Sequence, residues 1–178
     1  MLKQNIEIEY KCLVTKEEYF HLLSLYQKHY QRIWQKNIYY LDDNKQLEKL
    51  KAVLRLRKTV NENLLTLKIP QDKLIEMEKS NADLNDLEFL AILASYNIYP
   101  PFKENGYSIT YRRLIDLKKA QLCLDESHFL NSIDYEIEYE LKYEHDGLED
   151  FRKILATAKI NYFPNTISKY QRALNSQL

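Results

Sequence analysis

A length of 178 residues, of which 45% are hydrophobic and in which 26 basic residues balance 26 acidic ones, predicts one folded domain over residues 1–178. This composition excludes a disordered chain and a uniformly basic nucleic-acid binder, so any role for charge must be local. The sequence has only two glycines, Gly106 and Gly147, which excludes the glycine-rich phosphate loops of the Walker and dinucleotide types.

The predicted elements are strands and amphipathic helices joined by short polar turns. The first 14 residues alternate in polarity as one strand, and Thr15-Lys16-Glu17-Glu18 has the form of a capping box, which predicts a helix to about Tyr30. A second helix is predicted over about 83–96, before Pro100-Pro101. The other predicted strands cover 37–41, 52–60, 63–69, 73–78, 107–117, 120–125 and 134–143, and the closing helices cover 148–160 and 168–174. We therefore expect about eight antiparallel strands and four helices.

Charged and apolar side chains fall on opposite faces of these strands, because residues two apart in a strand point the same way. The last strand, Tyr135-Glu136-Ile137-Glu138-Tyr139-Glu140, is the most regular example. A solvated face on an open sheet explains any one such strand. However, charges of one sign cluster within strands, as in Glu7-Ile8-Glu9 and Arg55-Leu56-Arg57, and solvated faces usually mix signs. This clustering favours a barrel of about eight strands whose lumen has acidic and basic sectors.

Such a lumen predicts a metal-dependent phosphate site. Several carboxylates that converge require a cation, and an all-oxygen ligand set favours magnesium, manganese or calcium over zinc. Arginines and lysines on the opposing strands indicate a compact polyanion, because guanidinium groups bind phosphate oxygens in pairs. The residues alone therefore point to a triphosphate or polyphosphate ligand.

Other classes of site and location are disfavoured. Cys12 and Cys123 are far apart in strand-like segments, and the histidines show no metal-ligand spacing with them, so neither a disulfide scaffold nor a zinc site is expected. The sequence has no apolar run of the ~20 residues that span a bilayer and no signal peptide, so we expect a cytoplasmic protein without a membrane partner. The oligomeric state stays open, with a homodimer among the options.

The motifs resemble those of the CYTH superfamily, also called triphosphate tunnel metalloenzymes. The signature Glu-x-Glu-x-Lys is present at Glu7 to Lys11. The matching segments that follow are Tyr39-Tyr40-Leu41-Asp42, Leu54-Arg55-Leu56-Arg57, Leu65-Thr66-Leu67-Lys68, Leu122-Cys123-Leu124-Asp125, 134–140 and Ser168-Lys169-Tyr170-Gln171-Arg172. The spacing is most similar to a bacterial branch often labelled as adenylate cyclase or CYTH domain protein.

This resemblance implies an α+β fold, in which a closed eight-stranded antiparallel β-barrel forms a tunnel with helices packed outside. It implies metal-binding carboxylates at Glu7, Glu9, Glu138 and Glu140, which with Lys11 form the expected catalytic set. Glu76, Glu78, Asp125 and Glu136 are secondary candidates. The implied triphosphate-binding residues are Lys11, Arg55, Arg57, Lys68, Arg112, Lys169 and Arg172. Arg113 is the alternative to Arg112, because a β-bulge would reverse the parity of that strand.

The resemblance implies hydrolysis of inorganic triphosphate or of a small molecule that carries a triphosphate, with Mg²⁺ or Mn²⁺ as cofactor. Class IV adenylate cyclase and thiamine triphosphatase are alternatives within the same fold. A non-catalytic module that binds a nucleotide or polyphosphate is an alternative of another class. A nucleic-acid partner is not expected, because the basic residues do not form a continuous phosphate track.

Overall fold

One antiparallel sheet forms the frame of the protein. The computed structural model describes residues 2–6, 8–27, 29–70 and 74–177, and its description of side chains begins at residue 8. The strands in these residues are β1 (Leu2–Ile6), β2 (Glu9–Val14), β3 (Gln31–Asp42), β4 (Val53–Lys58), β5 (Asn63–Pro70), β6 (Leu74–Ser80), β7 (Phe102–Asp116), β8 (Ala120–His128) and β9 (Ile133–Leu141). Their order in the sheet is β1-β6-β5-β4-β3-β7-β8-β9-β2, so the two edge strands are consecutive in sequence.

The sheet curls, but the barrel is not fully closed. The predicted first strand consists of two segments, β1 and β2, which pair with different partners at opposite edges. Glu9 of β2 lies opposite Glu140 of β9, and Ile6 of β1 lies opposite Ile75 of β6. The continuous ladder that a closed barrel requires is thus interrupted between β1 and β2. The expected eight strands and antiparallel pairing are otherwise present, with one strand divided in two.

The alternation of polarity decides which face of the sheet lies inside. Glu138 and Glu140 of β9 face the cavity that the curled sheet surrounds. Ile137 and Tyr139, which alternate with these glutamates along β9, point the opposite way and are buried in a hydrophobic core outside the sheet. Because the inner face is mostly charged, most apolar side chains of the strands are buried on the outer face, where helices cover them.

The described helices are α1 (Lys16–Tyr26), α2 (Gln46–Lys49), α3 (Leu87–Ser95), α4 (Leu148–Thr157) and α5 (Lys169–Asn175). Thr15 forms the predicted capping box with Glu18, and Ser168 forms a second one at the start of α5. The short helix α2 was not predicted; the carboxylate of Asp42 accepts hydrogen bonds from the backbone N–H groups of Gln46 and Leu47 at its start. In the described part of the chain, no helix is long and apolar enough to cross a membrane.

Several predicted bounds differ from the observed ones. Helix α1 ends at Tyr26 instead of Tyr30, and β3 begins at Gln31 instead of Asn37. The polar segment 31–36 lacks a strand pattern of its own, and its pairing with β7 extends the strand. Helix α3 begins at Leu87 because the Asp86 side chain accepts the hydrogen bond of the Phe89 N–H, whereas the sequence predicted a start near residue 83.

Two large hydrophobic cores hold helices α1 to α4 on the sheet, and a smaller cluster of Tyr39, Phe129 and Ala173 holds α5. One contains residues of β3 to β6 together with Leu47 of α2 and Phe89 and Leu93 of α3. The other contains residues of β2, β8 and β9 together with side chains of α1 and α4, such as Leu22 and Leu155. The two large cores therefore lie on different parts of the outer face, although Leu47 and Ala52 of the first core also line the space inside the curled sheet.

The packing of α3 on the first core can be tested with two leucines of the same helix, one buried and one exposed. Leu93 of α3 is fully buried, whereas Leu87 in the same helix is 83% exposed. L93A should lower the free energy of unfolding by about 2–5 kcal/mol, because it leaves a cavity among packed side chains. L87A should change the same quantity by less than about 0.5 kcal/mol in urea unfolding. Equal effects of the two substitutions would contradict the packing of α3 described above.

Candidate functional site

A large cavity of about 1290 Å³, with both charged and apolar side chains in its wall, lies against the inner face of the curled sheet. It gathers most of the residues predicted from the sequence. Those that line it are Glu9, Lys11, Arg55, Arg57, Lys68, Arg112, Glu138, Glu140 and Lys169, and, from the secondary candidates, Glu76, Glu78 and Asp125. Glu7 lies outside the described residues.

Strands β4 and β5 supply a cationic sector, which we define as Arg55, Arg57 and Lys68. Two of its three cations have carboxylate neighbours on β6. The Lys68 Nζ lies 3.0 Å from Glu76 Oε1, and the Arg55 Nη2 lies 3.5 Å from the same oxygen. Arg57 instead donates from Nε to the neutral amide oxygen Oδ1 of Asn37 at 2.9 Å.

The charge of Arg57 is only partly compensated inside this sector. Burial is the main cause that lowers the pKa of Arg57 to about 10, and repulsion by Arg55 and Arg112 adds to it, against a weaker attraction from Glu76 and Glu78. In addition, the Arg55 Nε is buried and has no hydrogen-bond partner among the described residues. A bound anion would offset the cost of both features.

Strands β8 and β9 supply an acidic group, which we define as Asp125, Glu136 and Glu138. One carboxylate oxygen from each of the three lies within 4.8 Å of the others, close enough to share a cation. Asp125 and Glu138 line the cavity, and Glu136 is fully buried beside them. Glu138 was predicted as a metal-binding carboxylate, whereas Asp125 and Glu136 were secondary candidates, below Glu9 and Glu140.

Cations of the chain itself pair with the acidic group. The Arg112 Nε and Nη2 donate to the two oxygens of Asp125 at 2.8 and 2.7 Å, and Nη2 also contacts Glu138. The Lys169 Nζ of α5 contacts all three carboxylates. Burial works to raise the pKa of Asp125 and Glu138, but attraction by Arg112 and Lys169 outweighs it and holds the pKa of both below their usual range.

The choice between Arg112 and Arg113 follows from the strand register. The pairing of β7 with β8 runs without a shift through both residues, so the parity of the strand is kept. Arg112 lines the cavity, whereas Arg113 lies near the Tyr19 hydroxyl of α1, on the outer side. The β-bulge that would exchange them is not present in this part of β7.

Arg172 lies in a different place from that expected. It was predicted to reach into the tunnel from the carboxy-terminal helix, but it is not part of the wall of the described cavity. Its Nη2 lies 2.7 Å from Glu136 Oε2 and its Nη1 lies 3.1 Å from Asp134 Oδ2. The guanidinium carbon also lies over the ring of Phe129, 5.7 Å from the ring centroid. Arg172 is therefore buried behind Glu136 and holds that carboxylate in place.

Some residues of the wall were not singled out from the sequence. Gln35 and Asn37 of β3 and Gln121 of β8 line the cavity with neutral polar groups. The Oε1 of Gln35 is buried and has no hydrogen-bond partner among the described residues. The alternation of side chains along β3 could have indicated these two residues, because Gln35 and Asn37 share a face with Tyr39. Gln35 was missed because β3 was predicted to start only at Asn37.

The sequence matches the family model "CYTH domain" over residues 5–173. A Bacillus subtilis protein named "Putative triphosphatase YjbK" is 31% identical over 172 residues, which cover 86% of this chain and 87% of that protein. This chain belongs to the CYTH domain family.

Solved structures of similar proteins have the same fold. A crystal structure from Bacillus halodurans, described as a "putative adenylate cyclase", has a TM-score of 0.82 and 31% identity and covers 95% of this chain and 97% of its own. HpAC1 from Hippeastrum, described as a "putative adenylyl cyclase" with a dominant triphosphatase activity, has a TM-score of 0.78 and 18% identity and covers 97% of this chain and 96% of its own. The names of these similar proteins thus include adenylate cyclase and triphosphatase.

The lowered pKa values of Asp125 and Glu138 should make the stability of this CYTH protein sensitive to acid. A carboxylate with a lowered pKa in the folded state stabilises the fold above its unfolded pKa, and this contribution is lost as the pH falls through its folded pKa. The free energy of unfolding should therefore decrease as the pH falls below about 5. E138Q should lose about 3–5 kcal/mol at pH 7, because Lys169 and Arg112 lose a buried partner, and its stability should depend less on pH.

The control for this experiment is E149Q, because Glu149 is an exposed residue of α4. Urea unfolding of this variant between pH 7 and pH 2 should follow the wild-type curve. If E138Q also follows the wild-type curve, Glu138 is not the ionised, paired residue described here.

The two cysteines should be unreactive in the folded protein. Cys12 and Cys123 are free and fully buried, and burial is the main cause that raises the pKa of each thiol to about 12. Because the thiolate is the reactive form, reaction with a disulfide reagent at pH 8 should be about 10³-fold slower than for a free cysteine. Thiol titration should find none in the native protein and both after unfolding. Rapid native labelling of either cysteine would contradict its burial.

Proposed function

We propose that this CYTH protein is a divalent-metal-dependent hydrolase that acts on inorganic triphosphate or on a small molecule carrying a triphosphate. The observation that carries the proposal is the charge arrangement of the cavity. The cationic sector has an incompletely compensated arginine and a buried donor, Arg55 Nε, that has no hydrogen-bond partner in the described part of the chain, and it lies in the same cavity as converging carboxylates. A phosphate chain with a metal ion complements both.

The acidic group has the donor chemistry that Mg²⁺ or Mn²⁺ requires. Its three carboxylates offer oxygen ligands only, and these oxygens are within 4.8 Å of one another. We propose Asp125, Glu136 and Glu138 as metal ligands, with Glu9 and Glu140 as further carboxylates on the same wall. A bound metal would neutralise charge on the phosphate oxygens and orient the attacking water.

The residues of the chain would contribute mainly binding and electrostatic stabilisation. Arg55, Arg57 and Lys68 would hold the non-reacting phosphates and stabilise charge that develops on the transferred group. Lys11 pairs with Glu9 at the cavity wall and lies opposite Glu138 in the pairing of β2 with β9. Its ammonium group would contact the phosphate nearest to the acidic group. Because these cations are positioned before substrate binds, little reorganisation would accompany the reaction.

A cyclase or a thiamine triphosphatase would use the same phosphate-binding residues. One similar protein at 31% identity is named as a triphosphatase and another at 31% identity as an adenylate cyclase, so identity alone favours neither activity and the products must decide. A non-catalytic binding module would need the cationic sector but no site for a metal ion. The converging carboxylates in the same cavity therefore favour a metal-dependent reaction.

The decisive experiment incubates the protein with inorganic triphosphate, ATP and thiamine triphosphate, with Mg²⁺ or Mn²⁺ and with a chelator, and identifies every product. We expect orthophosphate release that depends on the metal. Cyclic AMP with pyrophosphate from ATP would establish a cyclase instead. Tight binding without any product in all metal conditions would establish a binding module.

The cationic sector is tested with R57Q. This substitution removes a buried cation from the proposed phosphate site, so it should weaken the binding of inorganic triphosphate by tenfold or more in calorimetry without metal. The matched control is R32Q, because Arg32 of β3 is exposed on the outer face of the sheet. Equal triphosphate affinity in R57Q and the wild type would remove Arg57 from the site.

A further inference from the structure

The side chain of Lys169 occupies the centre of the acidic group. Its Nζ lies 2.9 Å from Asp125 Oδ2 and 2.5 Å from Glu136 Oε2, and it also contacts Glu138 Oε1. The ammonium group thus contacts one oxygen of each of the three carboxylates that could share a metal ion. The lysine is anchored on α5, more than 30 residues beyond Glu136 in sequence.

Cations of the chain balance the charge of the acidic group without a metal ion. Lys169 contacts all three carboxylates, Arg112 binds Asp125 and Glu138, and Arg172 binds Glu136 from behind. The group thus carries three negative charges and contacts three positive ones. Such pairing avoids the large penalty of burying uncompensated carboxylates.

A divalent ion and the Lys169 ammonium cannot both bind these oxygens. Magnesium requires oxygen ligands at about 2.0–2.1 Å, in the space between the carboxylates where the ammonium now lies. Like charges at such a separation also repel strongly in a buried site. Binding of the metal to this group therefore requires the ammonium to leave.

We infer that Lys169 is an internal cation that competes with the divalent metal for Asp125, Glu136 and Glu138, and that metal binding releases its ammonium into the cavity. This inference rests on the proposed function in that the metal is the one proposed for the hydrolase. The released ammonium lies on the wall of the same cavity as Arg55 and Arg57, where it adds a cation for the phosphate chain. Lys169 is therefore a positioning residue that couples metal binding to anion binding.

The backbone of α5 does not need to move for this exchange. Other contacts fix the helix: the Tyr170 ring packs on Tyr39 with 5.1 Å between centroids, and the Tyr170 hydroxyl accepts a hydrogen bond from Asn105 at 3.0 Å. Arg172 keeps its bonds to Asp134 and Glu136. Only the flexible four-carbon side chain of Lys169 has to change its rotamer, and the adjacent cavity provides the space.

The first experiment measures the reactivity of Lys169 in the wild-type protein. An amine-acylating reagent is applied with and without Mg²⁺ in the absence of phosphate, and labelling of each lysine is followed by peptide mass spectrometry. Lys153, an exposed residue of α4, is the internal reference. Mg²⁺ should raise the labelling rate of Lys169 relative to Lys153 at least fivefold. An unchanged or lower ratio at saturating Mg²⁺ would overturn the inference.

The second experiment measures Mn²⁺ affinity by electron paramagnetic resonance of the free ion, again without phosphate. K169M should bind Mn²⁺ about tenfold or more tightly than the wild type, because the competing cation is absent. K153M should bind as the wild type does. Equal or weaker Mn²⁺ affinity in folded K169M would overturn the inference, and if this variant does not fold, the labelling of the wild type decides.

These measurements separate the inference from the proposed function. Neither of them uses substrate or turnover. A protein that shows the competition but hydrolyses no triphosphate keeps the role of Lys169 and loses the proposed activity. A protein that hydrolyses triphosphate with metal but shows no competition keeps the activity and loses the role of Lys169.

Discussion

Charge compensation on the inner face of the curled sheet is the constraint on which the rest of the structure depends. Arg112 and Lys169 meet Asp125 and Glu138 in a space from which most water is excluded. Removing one member leaves a buried charge without a partner, which costs far more than loss of a surface ion pair. The positions of β7, β8, β9 and α5 are therefore tied to each other by charges as well as by hydrogen bonds.

This polar interior explains why the hydrophobic cores are divided. A sheet with a mostly charged inner face buries most of its apolar side chains on its outer face, so helices must cover it in separate places. Helix α3 covers the β4–β6 side, and helices α1 and α4 cover the β8–β9 side. The charged part of the cavity is left for polar ligands, and the packed cores around it hold the strands in place.

Helix α5 connects the cavity wall with the buried side of the acidic group. Ser168 caps its start, and Lys169 and Arg172, three residues apart, lie on one side of the helix and both contact Glu136 Oε2. One of the two cations faces the cavity and the other is buried behind the carboxylate. The same short helix can thus hold the acidic group together and, through Lys169, respond to what binds there.

The sequence by itself determined the inner and outer face of most strands, the capping box at Thr15 and the resemblance to the CYTH superfamily, because parity and caps are local properties. Only the tertiary structure decided the division of the first strand, the length of β3 and the location of Arg172 behind Glu136. It also brought Asp125 and Glu136 into one group around Lys169. Parity assigns a side chain to a face, but strand order, stagger and helix docking decide which charges meet, and these depend on contacts between residues distant in sequence.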